Sequence, residues 1–349
     1  MNAIFSKRIK SGRKLRAFSQ QNLADRVGVS KQMISKYEKG LSVPSSPLLI
    51  KLAKSLKLDL DYFFSPSLVE LGAVNFRKKS RLPVKRLEAI KEEIKLKLSN
   101  YLEVENILQI DNVFDTPVQK RKIKSLTEVA DLVIKLRKEW KIGLDPVHNI
   151  TQLLEDQKIK VIEIEEEENL FDGLATLIDD KFAVIVVNKN FPIERKRFTL
   201  LHELGHLILD FPECSIEEEE SFCNNFASEF LFPKDSVLKE FGEKRESIAL
   251  QELIEVQKKY GISIQAIVYR LVDCRVLSKP RQTNFYKKIN SNPELKNLIN
   301  LERFETHEFS HRYEQLVYRA YSQELISASK VASLLEININ EVLAKQMVG

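Results

Sequence analysis

The sequence predicts a mainly helical fold with one small β-sheet. Three observations carry this. First, 349 residues hold only 10 glycines and 11 prolines, each well below the usual ~7% and ~5%, too few for an all-β sandwich or a disordered linker. Second, apolar residues recur at helical spacing over most of the length. Third, the Ile/Val-rich runs that read as strands sit close together between residues 158 and 188. At about 150 residues per domain the chain has room for two domains and a small third. With 43% hydrophobic and 30% charged residues, a soluble protein with a real core is expected. The longest apolar run, Phe182–Val187, falls far short of the ~20 residues of a membrane span. MNAIFSKRIK shows no apolar stretch of a secretory signal. Cys214, Cys223 and Cys274 form no CxxC pair, which excludes a cysteine-only zinc site and points to the reducing cytoplasm.

The first 64 residues read as short helices with sharp stops. Ser19 can cap a helix over Gln20–Val27, and Gly28 supplies the left-handed exit. Ser30 caps the next, which ends at Gly40. Ser46-Pro47 opens a third, with Leu49, Leu52, Ala53 and Leu56 on one stripe. From Ser65 to about Lys85 periodicity fades into a basic linker, with Arg77, Lys78, Lys79 and Arg81 read as solvated. Leu87–Leu108 reads as a long charged helix.

After a polar break at 111–124, a helix is expected from Ser125 to Trp140 and a short one from Pro146 to Leu154. Lys158–Glu165, Gly173–Ile178 and Phe182–Asn188 read as strands, with a hairpin turn at Asp179-Asp180-Lys181. Helices then dominate: about Ile193–Leu209, Ile216–Phe232, a broken pair over 235–259, Ser263–Leu277, and two or three more from 293 onward.

Charge is divided unevenly. Residues 1–64 hold 13 Lys/Arg against 4 Asp/Glu, so they carry +9 of a net +5 and leave −4 for the other 285 residues. A small basic module on a larger acidic body is the pattern of a chain that meets nucleic acid at one end.

Two helices joined by Gly28-Val29-Ser30 have helix-turn-helix geometry. Leu23, Ala24, Val27, Val29, Ile34 and Tyr37 would pack them together, leaving Lys31, Gln32, Ser35 and Lys36 on the outer face of the second helix. Amide and cationic side chains there are suited to base edges in the major groove. The string SQQNLADRVGVSKQMISKYEKGLSVPSSPLLIKLAKSLKLDLDYFF resembles the XRE, or Cro-repressor, helix-turn-helix family over residues 5–64. The resemblance implies Gln20 on a phosphate, Lys31, Gln32, Ser35 and Lys36 near bases, and Arg13 paired with Glu38.

His202-Glu203-Leu204-Gly205-His206 is an HExxH within FTLLHELGHLIL. Residues i and i+4 share a helix face, so both imidazoles can bind one zinc, and Glu203 can serve as general base. The apolar flanks suit a buried helix, where two histidines and a glutamate are costly without a metal. His307-Glu308-Phe309-Ser310-His311 matches the same pattern, but with Glu305 and Arg312 beside it; it reads as the exposed face of an amphipathic helix without metal. His148 reads as a loop or capping residue.

A catalytic zinc needs a third protein ligand. Downstream, EESFCNNFASEFLFP resembles the second motif of the ImmA/IrrE metallopeptidase family, approximately E-x-x-A-N-x-F-A-x-x-L-L-x-P. The resemblance places Glu220 on the glutamate ligand and Asn224, Phe226, Ala227 and Pro233 on the other motif positions, with Cys223 where the family usually has alanine. Glu220 and Asn224 are four apart, so the amide could support a ligating histidine. The residues alone leave Glu219 open as the ligand. DGLATLIDDKFAVIVVNKNFPIERKRFTLLHELGH and YGISIQAIVYRL match further parts of the family, and LVYRAYSQELISASKVASLLEININEVL looks like a C-terminal helical extension of such regulators.

The expected organisation is a helix-turn-helix domain at 1–66, a linker and charged helix at 67–110, a zincin-like domain at 111–285 and a helical extension at 286–349. The resemblance implies a cytoplasmic, Zn2+-dependent peptidase that acts on a repressor, itself included. A single helix-turn-helix usually reads a palindromic double-stranded operator as a homodimer, so dimerisation on DNA is expected. The alternative is a non-catalytic repressor or antitoxin-like protein whose zincin domain is a sensor or dimerisation module.

Overall fold

The chain begins with α1 (Asn2–Leu15), α2 (Gln20–Val27), α3 (Lys31–Glu38), α4 (Ser46–Leu56), a 3-10 turn at Leu60–Phe63 and α5 (Val84–Ile107). There follow β1 (Arg121–Lys122), α6 (Leu126–Glu139), α7 (Ile150–Asp156), β2 (Lys160–Ile164), β3 (Gly173–Ile178) and β4 (Phe182–Asn188). Next come α8 (Ile193–Ile208), β5 (Leu209–Asp210), α9 (Ile216–Leu231), α10 (Lys234–Phe241), α11 (Leu250–Tyr260) and α12 (Ile264–Asp273). The last helices are α13 (Lys279–Ser291), α14 (Pro293–Leu301), α15 (Arg312–Ser322), α16 (Ala328–Leu335) and α17 (Ile339–Ala344). The fold is mostly helical with a small three-stranded sheet. This computed structural model describes residues 2–65, 69, 82–116, 121–168, 170–211, 214–301 and 304–344. Arg77, Lys78, Lys79 and Arg81 lie outside the described residues. Two units emerge: Met1–Asn112 with His311–Gly349, and Val113–Ser310.

In the first unit, side-chain caps fix the helix ends. The Ser19 hydroxyl accepts from the Asn22 N–H, and Asn22 Oδ1 accepts from the Ser19 N–H, which closes a capping box. Gly28 leaves α2 at φ 76°, a conformation that costs a residue with a Cβ about 1–2 kcal/mol. Ser30 caps α3 by accepting from the Met33 N–H. Ile9, Leu23, Val27, Ile34, Leu52 and Phe63 are buried between α1–α4 and the turn after them. Arg13 pairs with Glu38, with Nη2 at 3.1 Å from Oε2, and donates to the Phe18 carbonyl. α5 lies against α1, where Lys14 pairs with Glu88. The other end of α5 gives Tyr101 and Val104 to a cluster with Leu316, Val317, Val331 and Val342 of α15–α17. The tail therefore folds onto α5. Its reason is chemical: Arg312 reaches the buried Glu105 at 3.3 Å and Tyr313 packs on Tyr101.

In the second unit, the sheet has order β2-β4-β3, with β2 parallel and β3 antiparallel to β4. Asp179 and Asp180 turn the β3–β4 hairpin at φ 51° and 53°, the primed-turn conformation that matches strand twist. β4 is buried along nearly its whole length, Ala183 to Asn188. α8 packs on β3 and β4, α9 on α8, and α6 on α9. Two glycines permit these approaches. A Cβ on Gly173 would stand 2.8 Å from Thr199 Cγ2 and 3.1 Å from the Val186 carbonyl; one on Gly205 would stand 3.2 Å from Cys223 Sγ. The small Cys223 side chain is what the α8–α9 crossing accepts.

Three local expectations need correction. The helix expected from Pro146 starts at Ile150, because the Asn149 side chain caps it by accepting from the Gln152 N–H at 2.9 Å. β1 and β5, a short parallel pair, fall in segments read as a polar break and a helix end. Finally, residues 304–311 form no helix. His307 and His311 are exposed, but Glu308 is buried at 4% exposure, so this is no exposed amphipathic face. Its carboxylate meets the fully buried Arg197 guanidinium at 2.6 Å and accepts from the Thr151 N–H and hydroxyl.

Candidate functional site

α8 supplies His202, Glu203 and His206 in its third and fourth turns, against α9. His202 Nε2 lies 3.2 Å from His206 Nε2. Glu220 of α9 reaches both: Oε2 is 3.1 Å from His202 Nε2, and Oε1 is 3.5 Å from His206 Nε2. These three donors lie within 4.8 Å of one another, and among the described residues this is the one such group of three. His202 Nδ1 is 2.9 Å from Asn224 Oδ1, one helical turn beyond Glu220. His206 Nδ1 is 3.3 Å from Glu219 Oε1.

Asn224 Oδ1 suits an N–H on His202 Nδ1, and the Glu219 carboxylate beside His206 Nδ1 suits one there; with the protons so placed, the two Nε2 lone pairs face each other and a carboxylate. Two lone pairs and an anion at such distances repel unless a cation lies between them. Two imidazoles and one carboxylate are also the donor set of a catalytic zinc that keeps a further position for water. The residues fit the metal.

Glu203 is 2% exposed, on the side of α8 where Gly173 of β3 comes close enough that a Cβ would meet Glu203 Cγ at 3.2 Å. An open cleft of about 300 Å³ lies beside His206 and Leu207, with Ala175–Leu177 of β3 on one side and Phe114–Thr116 on the other. Phe211 stands edge-on to His206 and stacks on Phe222.

The four glutamates 217–220 separate by geometry. Glu218 closes the α9 capping box, and the Ser215 amide and hydroxyl hold its carboxyl below the usual range. Glu219 meets the outer nitrogen of His206, and Glu220 the inner nitrogens of both histidines. His202, His206, Glu220 and Asn224 are therefore brought together, with Glu203 adjacent in the helix. The pairing of Glu219 with His206, the close approach at Gly173 and the Arg197–Glu308 pair are not marked by any local sequence motif. A lone glycine opening a strand was the one signal available, since it often marks a close backbone approach.

In the first unit, Lys31, Gln32 and Lys36 are exposed on α3, and Ser35 is half-buried on the same helix, whose Ile34 and Tyr37 face the core. Gln20 stands differently from the others. Its amide nitrogen donates to Glu38 Oε2 at 2.8 Å, the carboxylate that Arg13 also holds. No helix of the described residues is long and apolar enough to cross a membrane.

Comparison with known proteins finds two family matches. Residues 9–63 match a helix-turn-helix family, and residues 154–272 match the IrrE N-terminal-like domain. Similar proteins include an uncharacterised transcriptional regulator in the ATPase CF(0) region of Rhodospirillum rubrum, 40% identical over 65 residues, which are 19% of this chain and 60% of that protein. The HTH-type transcriptional regulator YqaE of Bacillus subtilis is 36% identical over 59 residues, 17% of this chain and 51% of its own. The regulator y4wC of Sinorhizobium fredii is 34% identical over 68 residues, 20% and 48% of the two chains. The chain thus spans about half the length of the curated relatives it matches.

Proposed function

From a chain that carries an XRE-type helix-turn-helix domain ahead of an IrrE-like, metallopeptidase-family domain, we propose a DNA-binding transcriptional regulator whose zinc-dependent peptidase domain controls repressor activity by cutting a repressor, itself or a partner. The observation that carries this is the convergence of His202, His206 and Glu220 beside the buried Glu203.

Lys31, Gln32, Ser35 and Lys36 of α3 would read base edges of a double-stranded operator, and the +9 charge of the module supplies attraction to phosphates. Gln20, tied to Glu38, would meet a phosphate with its remaining amide hydrogen. The protein binds its operator as a homodimer, one copy per half-site.

His202, His206 and Glu220 would hold the zinc. When bound, it supplies a Lewis acid for the scissile carbonyl and for water. Glu203 takes a proton as water adds to the carbonyl carbon, then delivers it to the amide nitrogen as the C–N bond breaks. Among the described strands β3 ends the sheet on one side, so an extended peptide can add to it and lie along the cleft at Ala175–Leu177. Joining reader and peptidase on one chain raises the concentration of peptidase around whatever sits at the operator.

A metal-bearing sensor without turnover would keep the three ligands, yet it has no use for a buried glutamate beside them. Metal analysis of the purified protein tests the site: His202→Ala, His206→Ala and Glu220→Ala should each lose zinc. Zinc retained by Glu220→Ala at the wild-type level would remove it as third ligand.

A further inference from the structure

Both histidines of the site use both ring nitrogens, but their outer partners differ in charge. His202 Nδ1 faces the neutral amide oxygen of Asn224 at 2.9 Å, while His206 Nδ1 faces the Glu219 carboxylate at 3.3 Å. Glu219 and Glu220 are adjacent on α9, so one helix turn grips His206 from two sides. Glu220 approaches the inner nitrogen at 3.5 Å and Glu219 the outer one. Glu218, immediately before them, is committed to the Ser215 cap, which fixes the start of the turn.

We propose that Glu219 is the positioning residue of His206: its carboxylate accepts the Nδ1–H hydrogen bond, and so sets the tautomer and ring orientation that turn Nε2 toward His202 and Glu220. The inference rests on the metal-site reading above. Glu219 is not itself a ligand in this arrangement, because the imidazole ring stands between its carboxylate and the atoms converging on Nε2. A charged acceptor makes the imidazole a stronger electron donor than a neutral amide does. The two histidines are therefore unequal: His206 is the stronger donor and more firmly oriented, and His202 the weaker.

The test uses the full-length protein with Glu219→Ala, Glu219→Gln and, as a neighbouring control, Glu217→Ala. Zinc affinity is read by competition with a chromophoric chelator, and the ring tautomer of His206 by long-range 15N–1H correlation in metal-free protein. Loss of such an outer partner typically costs 10–100-fold in metal affinity, so Glu219→Ala should bind zinc about 10–100-fold more weakly. Glu219→Gln, which keeps an acceptor oxygen without the charge, should fall between it and wild type, and Glu217→Ala should match wild type. In metal-free protein His206 should carry its proton on Nδ1, and Glu219→Ala should move it toward Nε2. Wild-type affinity together with an unchanged tautomer in Glu219→Ala would overturn the proposal. So would complete zinc loss in Glu219→Ala alongside retention in Glu220→Ala, which would make Glu219 the ligand. Failure of wild type to take up zinc would overturn the metal reading itself; the tautomer comparison still decides the Glu219 contact in that case.

Discussion

Replacing Glu308 by alanine should destabilise the second unit by about 3 kcal/mol without touching a metal donor. The Arg197 guanidinium has no exposed side-chain surface, and Glu308 has 1%. Breaking such a pair leaves an uncompensated buried charge, which costs ~3–5 kcal/mol. The lower end applies here. Arg197 also donates to the carbonyls of Val147, His148, Tyr260 and Gly261, and it lies over the Phe304 ring. Those acceptors keep part of the charge solvated when Glu308 is gone. Burial already pulls the Arg197 pKa down, and Glu308 opposes that pull. For a unit of this size ~3 kcal/mol corresponds to a fall in Tm of about 6–12 °C. The assay is urea and thermal unfolding of Glu308→Ala beside His307→Ala and His311→Ala, with zinc content measured on each. The two histidine variants, both exposed, should stay within ~0.5 kcal/mol of wild type and hold as much zinc. Stability of Glu308→Ala within that margin would refute the reasoning, and so would zinc loss in either histidine variant.

Gly173→Ala should cost ~1–3 kcal/mol through overpacking, because the new methyl meets Thr199 Cγ2 and the Val186 carbonyl. By displacing Glu203 it should lower any peptidase rate while zinc content holds; unchanged stability and rate would contradict the tight β3–α8 approach. Gln32→Ala or Lys36→Ala should lose ~1–3 kcal/mol on a specific operator where a bidentate base contact is removed. Binding measured on operator and random DNA should diverge, and equal losses on both would remove base reading from α3. Lys14 holds the Glu88 carboxyl below its ordinary range. A carboxylate with a depressed pKa in the folded state contributes stability above its unfolded pKa, and that contribution fades as pH falls through the folded value. Glu88→Gln should accordingly flatten the acid limb of the first unit's stability below about pH 4.5, and an unchanged limb would count against the contact.

Much of this architecture is legible in local pattern. Ser19, Gly28 and Ser30 mark the turn between α2 and α3 by chemistry that acts within four residues, and the alternation at 173–188 marks the hairpin in the same way. HExxH is legible because both donors come from one helix. Asn224 follows once a second helix is aligned four residues after a glutamate. What local pattern did not carry is long-range. The return of 311–344 to α5 depends on Tyr101 meeting Tyr313 and on Glu105 meeting Arg312, more than 200 positions apart in sequence. The second HExxH misled for the same reason: charged neighbours read as solvent exposure, whereas Glu308 is buried by a partner 111 residues away. Which of four successive glutamates meets which nitrogen is likewise set by the rotation of α9 against α8, fixed by the Gly205–Cys223 crossing.

The most direct test of the central claim is cleavage by Glu203→Gln. Wild type and variant, purified side by side, are assayed for zinc and incubated with candidate repressors, this chain among them, with cleavage followed by intact mass. Loss of a general base typically costs 10²–10⁴ in rate. Equal zinc with cleavage reduced by about that factor is the expected result. Cleavage at the wild-type rate by a zinc-loaded Glu203→Gln would contradict the account.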